Sequence, residues 1–361
     1  MADSMNKQEL SISVIMPYVN EWPQIAFTIR ALREELEGIC PFEIVVVDNY
    51  CAEIENQSEG IVPDRGHDSY IKNKKRLPFY NINDSVKESA TFNIGHLKAQ
   101  SKVLPWLKHC RFEDKLSHWN AKNIGVLNST GDLLLFLDAH VVPSHGSIKW
   151  QYQTFVENLN QDESFKYNTI HLPLSYHILE QKRLIYKLVW DSVHGVAHYS
   201  FTSFKEKSVK PRSIESRLFE VPCMSTCGMM MHRDLFTFLD GWPPGLGIYG
   251  GGENFMNFTM AIMGFKKFVS RFGTLHHHGD KRGYSFYWDD YHRNRMIATS
   301  IFGGAEMLVR YQESLAGPHN QHTYELMQKA WKVTKTQREL LLPYPKITID
   351  EWAEKWLKEV K

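Results

Sequence analysis

Gly131-Asp132-Leu133-Leu134-Leu135-Phe136-Leu137-Asp138-Ala139-His140 opens on a turn, crosses five apolar residues and ends on two metal-capable side chains. The apolar residues are continuous rather than alternating, the pattern of a strand buried on both faces, as in a parallel sheet covered by helices. A strand turns its side chains over at every residue, so Asp138 and His140 point the same way, and Ala139 keeps bulk out from between them. Carboxylate plus imidazole suits a Mn²⁺-like or Zn²⁺-like divalent ion with positions left open for a ligand. A strand that merely ends in polar residues carries about half the weight on Asp-x-His alone. The rest of the chain has to decide.

With 361 residues, 43% of them apolar, the chain is globular and can bury a large core, as one large domain with extensions or as two. A formal charge of +1 gives no overall attraction to polyanions, so any such binding must come from local patches. The cysteines Cys40, Cys51, Cys110, Cys223 and Cys227 form an odd, unpatterned set, and the polar start Met1 to Glu9 has no apolar signal core. Both point to a reducing, cytoplasmic setting. No apolar run approaches the roughly 20 residues that span a bilayer, so no membrane association is expected.

Upstream of the central strand, Ser11 to Pro17 reads as a first strand, and Pro23 opens a helix with Ile25, Ile29, Leu32 and Leu36 at helical spacing. Phe42 to Asn49 is a second buried strand ending on Asp48. Strand, helix, strand implies a parallel pair with a right-handed crossover, and ligands of such sheets sit at the carboxyl ends of the strands. Asn20, Glu21, Asp48, Asp138 and His140 all follow strands, so one crevice could hold them. Asp48 either accepts hydrogen bonds from a base or ribose or is a solvated loop carboxylate. Residues 51–117 form a long polar insertion with a basic run, Lys72, Lys74, Lys75 and Arg76, between Tyr70 and Tyr80. Such a run is usually solvated surface, but basic and aromatic residues together also suit a polyanion. Lys122, on a short helix Trp119 to Leu127, either meets a diphosphate or is simply exposed.

Beyond Pro143 the alternation continues with a helix from Ile148 to Leu159 and a strand from Thr169 to Leu174. Phe201 to Arg217 is polar and basic and reads as a mobile loop, Cys227 to Met231 as a strand, and Arg233 to Leu239 as a short helix. Cys223-x-x-x-Cys227 has no second pair, so both cysteines read as interior residues rather than zinc ligands.

Gly250-Gly251-Gly252-Glu253-Asn254 is the second informative site. Three glycines let the backbone approach something closely, and they deliver a carboxylate and an amide to the start of an apolar helix, Phe255 to Met263. The bland reading is a glycine turn with an ordinary first-turn acid. Residues Phe268 to Leu275 read as a strand ending in His276-His277-His278. There His276 and His278 share a face, and either could complete a metal site with Asp138 and His140. Lys281, Arg282, Tyr284, Trp288 and Tyr291 follow in a glycine- and aromatic-rich segment suited to a lid over a phosphate-bearing ligand.

Taken together, Val19-Asn20-Glu21-Trp22, the strand ending in Asp48, Ala121-Lys122-Asn123-Ile124-Gly125, Leu137-Asp138-Ala139-His140 and Gly251-Gly252-Glu253-Asn254 follow the order of family 2 type glycosyltransferases of the GT-A fold. The Asp-x-His and Gly-Gly-Glu-Asn elements most resemble the catalytic domain of polypeptide N-acetylgalactosaminyltransferases, over roughly residues 11 to 300, and the ordered set is far more specific than any one motif. The resemblance implies an α/β GT-A domain at 1–305, with a Rossmann-like, mostly parallel central sheet flanked by helices, and a helical C-terminal extension at 306–361. It implies Mn²⁺ (or Mg²⁺) on Asp138, His140 and a later histidine, and a UDP-sugar donor contacted by Pro17, Asn20, Glu21, Asp48, Lys122, Ala139, Arg282 and Tyr284. Glu253 and Asn254 would lie by the sugar and acceptor as catalytic residues with Asp138.

The sequence also departs from that pattern: no anchor, stem or lectin-like domain is expected, the insertion is long, and Lys122 stands where the family often has Arg. Its C-terminal part ends in helices, one marked by the capping box Thr348-Ile349-Asp350-Glu351 with Trp352 and Trp356 on one face. The closest look-alikes retain anomeric configuration, which favours retention here. The expected acceptor is a hydroxyl, either of a hydroxymethylpyrimidine in DNA gripped by the basic segments or of a protein Ser/Thr or a glycan. Rivals are a nucleotide-sugar-binding protein without turnover, a pyrophosphatase or a nucleotidyltransferase.

Overall fold

The computed structural model describes residues 9–19, 21–54, 95–176, 183–191, 193, 196–204, 210–211, 217–278, 284, 286, 288–317 and 320–359. Its strands, in chain order, are β1 (Ile12–Tyr18), β2 (Phe42–Asp48), β3 (Leu107–Arg111), β4 (Leu133–Phe136), β5 (Val141–Pro143), β6 (Thr169–His171), β7 (Leu174–Ser175), β8 (Leu184–Asp191), β9 (Val196–Ser203), β10 (Lys210–Pro211), β11 (Leu218–Glu220), β12 (Met229–His232), β13 (Lys267–Ser270) and β14 (Leu275–His277). The helices are α1 (Gln24–Leu36), α2 (His118–Leu127), α3 (Ser147–Gln161), α4 (Arg233–Phe238), α5 (Gly252–Ile262), α6 (Trp288–Ala316), α7 (Gln321–Leu341) and α8 (Ile349–Glu359).

A nine-stranded sheet in the order β10-β11-β13-β6-β12-β4-β1-β2-β3 is the frame. The half β4-β1-β2-β3 is parallel, β13 pairs parallel to β6, and β12 runs antiparallel between β4 and β6. Val14 lies opposite Leu135 and Ile15 opposite Phe136, all fully buried, which is why these strands carry unbroken apolar runs. A second, five-stranded sheet, β5-β14-β7-β8-β9, stands beside the first. It takes the chain leaving Asp138 and His140 through β5 and pairs it antiparallel with β14, the strand that bears the histidine triplet. This pairing brings two distant histidine segments together.

The C-terminal helices join the core. Trp352 and Trp356 are buried, Trp352 meets Phe258 edge-on at 6.1 Å, and the Lys267 ammonium lies 5.2 Å over the Trp352 ring. The capping box forms as the sequence predicts, with Thr348 N donating to Glu351 Oε2 at 2.7 Å and Glu351 N to Thr348 Oγ1 at 3.1 Å. The α6 element is broken at Gly304 (φ 65°), where a Cβ would lie 2.9 Å from the Arg338 guanidinium.

His171, on β6, is buried inside the sheet with Nδ1 on the Leu172 carbonyl at 3.1 Å, and burial pushes its imidazole down to about 4. The unfolded chain takes up that proton near ~6.5. Between those values the unfolded state binds more protons, so stability is complete above the unfolded value and falls with pH, by about 3 kcal/mol from this residue. His171→Gln is expected to flatten the fall in melting temperature between about pH 6.5 and 4. An unchanged slope would refute it.

Candidate active site

The carboxyl ends of β1, β2 and β4 open on one crevice. There Asp138, His140 and His277 bring one ligand atom each to within 4.8 Å of one another. His277 Nε2 lies 3.3 Å from His140 Nε2 and 3.4 Å from Asp138 Oδ2. His140 Nδ1 donates to Glu21 Oε1 at 2.6 Å, and since a carboxylate can only accept, the Nε2 lone pair of His140 is left aimed at the other two groups. Asp138 Oδ1 is buried without a hydrogen bond among the described residues, 3.6 Å from His118 Nε2. Burial works to raise the Asp138 carboxyl, but the His277 hydrogen bond and the charges of His118, Lys122 and His140 outweigh it and hold the group well below the usual carboxylate range. An anionic oxygen facing two imidazole nitrogens, one oriented by an outer carboxylate, is a donor set that fits a divalent cation.

Two spaces meet at this cluster. A narrow crevice on the β1–β2 side is lined by Pro17, Val19, Asn49, Leu116, Ala139 and Tyr284. A larger cavity of about 420 Å³ lies on the other side, with Trp119, Tyr176, Tyr199, Phe201 and Glu253 among its walls. His118 and Asp138 line both. Ser117 sets His118 there by capping α2, its Oγ accepting from Asn120 N at 3.2 Å. Asn49 fixes the loop before it, donating to Phe112 O at 2.7 Å and Lys115 O at 2.8 Å and accepting from Ser117 N at 2.8 Å.

Glu253 is buried in the first turn of α5, between two phenols: the Tyr199 hydroxyl donates to Oε2 at 2.6 Å and the Tyr186 hydroxyl to Oε1 at 3.3 Å. The preceding glycines serve packing against the protein itself. A Cβ on Gly252 would meet the Trp119 ring at 2.3 Å, and on Gly251 (φ 77°) it would meet the Asn294 carbonyl oxygen at 2.2 Å. They bring the helix start close to Trp119 and to the backbone of α6, and Gly250 lines the cavity beside Glu253.

No family profile matches the sequence, and no curated protein sequence matches it. The structure does have solved likenesses. GalNAc-T7, solved with UDP, GalNAc and Mn²⁺, superposes at a TM-score of 0.58 with 18% identity, over 92% of this chain and 57% of that one. The chain has a GT-A fold. It spans little more than half of GalNAc-T7. Staphylococcus aureus TarS 1–349 (TM-score 0.45, 13% identity, 92% of this chain, 81% of that one) also matches. So does the mannosyltransferase PcManGT of Pyrobaculum calidifontis with GDP-Man and Mn²⁺ (TM-score 0.43, 14% identity, 97% and 75%).

Within this GT-A frame the predicted residues fall out differently. Asp138 and His140 converge, but not through strand alternation, because both lie past the end of β4 in the turn that leads into β5, and the third member of the cluster is His277, not His276 or His278. Leu275 is buried in the core, and His277, two residues on, shares its side of β14, whereas His276 Nε2 faces Ser144 Oγ at 2.9 Å. His278 meets His140 through its backbone, N to O at 3.0 Å. Glu21, expected on the nucleotide, sits behind His140. Lys122 is neither exposed nor in the crevice. It is fully buried, with Nζ on Thr226 Oγ1 at 3.1 Å, over the rings of Trp119 at 5.1 Å and Trp242 at 5.5 Å, and burial lowers its pKa against the pull of Asp138 and Glu253. Asp48 is fully buried at the end of β2, with Oδ1 accepting from Tyr50 N at 3.0 Å and Oδ2 3.6 Å from Arg111 Nε. Asn254 is buried beside Glu253. Asn20, Lys281, Arg282 and the basic run at Lys72, Lys74, Lys75 and Arg76 lie outside the described residues. His118, Tyr186 and Tyr199 are the residues that sequence reasoning missed.

The expectation for Phe201 to Arg217 is also corrected in part. Phe201–Ser203 closes β9, and Lys210–Pro211 pairs antiparallel with β11.

Proposed function

We propose that the chain transfers a sugar from a UDP-sugar to an acceptor hydroxyl, with a divalent metal held by Asp138, His140 and His277. The observation that carries this reading is the convergence of those three side chains at the junction of a narrow crevice and the cavity containing Glu253. GalNAc-T7, which shares the fold, was solved with UDP, GalNAc and Mn²⁺, and the assignment carries those ligand classes to this chain. Bound there, Mn²⁺ (or Mg²⁺) supplies Lewis-acid stabilisation of the charge that builds on the departing diphosphate. The nucleotide lies along the crevice of Pro17, Ala139 and Tyr284, with Asp48 beneath it. Glu21 keeps the His140 proton on Nδ1. Glu253 faces the sugar from the start of α5, with Asn254 buried beside it, where an anion can order sugar hydroxyls. A panel of UDP-sugars, incubated with and without Mn²⁺ and assayed for free UDP, tests this. Mn²⁺-dependent release supports transfer, and tight binding without release supports a binding protein.

For the acceptor we propose a hydroxymethylated pyrimidine in DNA, acted on in the cytoplasm. Two features support it: the basic run of the insertion, and the aromatic cavity walls, where Tyr176 and Phe201 meet edge to face at 5.4 Å and Phe201 is 45% exposed. A base drawn out of the stack is commonly held between such rings, and backbone binding weakens steeply with salt. All five cysteines are free, in keeping with a reducing compartment, and no helix among the described residues is long and apolar enough to cross a membrane. Transfer to hydroxymethylated duplex DNA is expected to fall with salt and with neutralisation of Lys72, Lys74, Lys75 and Arg76. Labelling of Ser/Thr peptides or glycans but not of DNA would move the acceptor to those classes.

A further inference from the structure

We propose that Tyr199 and Tyr186 are positioning residues that set the Glu253 carboxylate for the transfer reaction, an inference that rests on the glycosyltransferase reading of this site. They come from the hairpin of the second sheet. Tyr186 pairs with Phe201 and Leu188 with Tyr199, so the two tyrosines form a diagonal pair on one face. Their rings stack with centroids 4.6 Å apart and planes 11° from parallel. Each hydroxyl takes a different oxygen of Glu253, Tyr199 at 2.6 Å and Tyr186 at 3.3 Å.

A glutamate side chain has three torsions to fix, and one hydrogen bond leaves its terminal torsion free. Two donors on opposite oxygens, from rings that pin each other, fix the plane of the carboxylate. The carboxylate so held lines the same cavity as both rings. Burial and the neighbouring Glu253 charge push both phenols far above their ordinary range, so they remain donors at any working pH. The same sheet carries His277 on β14. One sheet therefore carries both the metal-side imidazole and the two phenols that hold the cavity-side carboxylate.

Tyr→Phe removes only the oxygen and keeps the stacked ring. For UDP-sugar turnover with Mn²⁺, Tyr199→Phe is expected to lower kcat about 10-fold and Tyr186→Phe, with the longer bond, about 3-fold, while KM and UDP affinity stay within about 2-fold. In a Glu253→Gln background neither substitution should lower kcat further, because the group they position is gone. Losses that multiply with Glu253→Gln, that fall on KM instead of kcat, or that are absent would overturn the proposal. If Tyr199→Phe does not fold, the Tyr186→Phe cycle tests the same coupling through the weaker contact. A wild-type chain that turns over no UDP-sugar sinks the glycosyltransferase reading and this role with it, whereas normal wild-type turnover with additive tyrosine effects sinks this role alone.

Discussion

Asp138→Ala, His140→Ala and His277→Ala are each expected to abolish Mn²⁺-supported turnover and to cut Mn²⁺ affinity, measured by calorimetry, by at least ~100-fold. His276→Ala should stay within about 3-fold of the parent. The contrast follows from placement. His277 Nε2 faces both other ligand atoms, whereas His276 Nε2 is engaged by Ser144. Removing one ligand of three leaves either a carboxylate with one imidazole or two imidazoles, too few protein donors to hold the ion against water. Glu21→Gln belongs to the same series. It touches no ion itself, yet it removes the carboxylate that keeps the His140 proton on Nδ1, and loss of such an outer partner typically costs about 10–100-fold in affinity. Chelator should abolish turnover and Mn²⁺ restore it. Full activity after exhaustive metal removal, or equal effects of His276→Ala and His277→Ala, would sink the metal assignment.

How far the sequence could carry these assignments depended on what kind of information each needed. Asp138 and His140 were legible as a pair because an unbroken apolar run ends in Asp-x-His, although both lie past Phe136 in the turn that leads into β5, so the local chain path there and not strand alternation brings them together. The parallel pairing of β1 and β2 was legible from the strand, helix, strand order, and the capped C-terminal helix from its capping box and two tryptophans. The triplet at 276–278 was harder, since its parity depends on which neighbour looks inward. The signal was present in Leu275, an apolar residue two positions before His277. Lys122 was misread for want of the same step. Trp119, Lys122 and Val126 recur at helical spacing along the buried stripe of α2, and the lysine lies within it because two indole rings receive its charge. The glycines at 250–252 showed a close approach but not to what. The hairpin of β8 and β9 went unread although Leu184 to Trp190 and Val196 to Phe201 are rich in aromatic and β-branched residues. Its tyrosines meet Glu253 only through a contact more than fifty residues away in the chain, which periodicity does not encode.

Glu253→Gln is expected to lower kcat by about 100-fold while Mn²⁺-dependent UDP binding stays within about 2-fold. The side chain keeps its length and volume, so packing at the start of α5 is preserved and the melting temperature should move little. What changes is charge and donor sense. Tyr199 and Tyr186 both donate to the carboxylate, whereas an amide accepts from only one of them with its oxygen and offers the other an NH₂ donor, so that hydroxyl must turn from donor to acceptor. The negative charge facing the cavity is lost at the same time. In a water-poor site, fixed charges of this kind contribute most where charge develops during reaction, which places the loss in kcat. Nucleotide binding should escape because the crevice of Pro17, Asn49 and Tyr284 lies across Asp138 and His118 from the cavity that holds Glu253. The measurement is a pair: turnover of a UDP-sugar, and calorimetry of UDP with Mn²⁺. A parallel loss in both would move Glu253 to the nucleotide side of the cluster, and an unchanged kcat would remove it from the transfer chemistry.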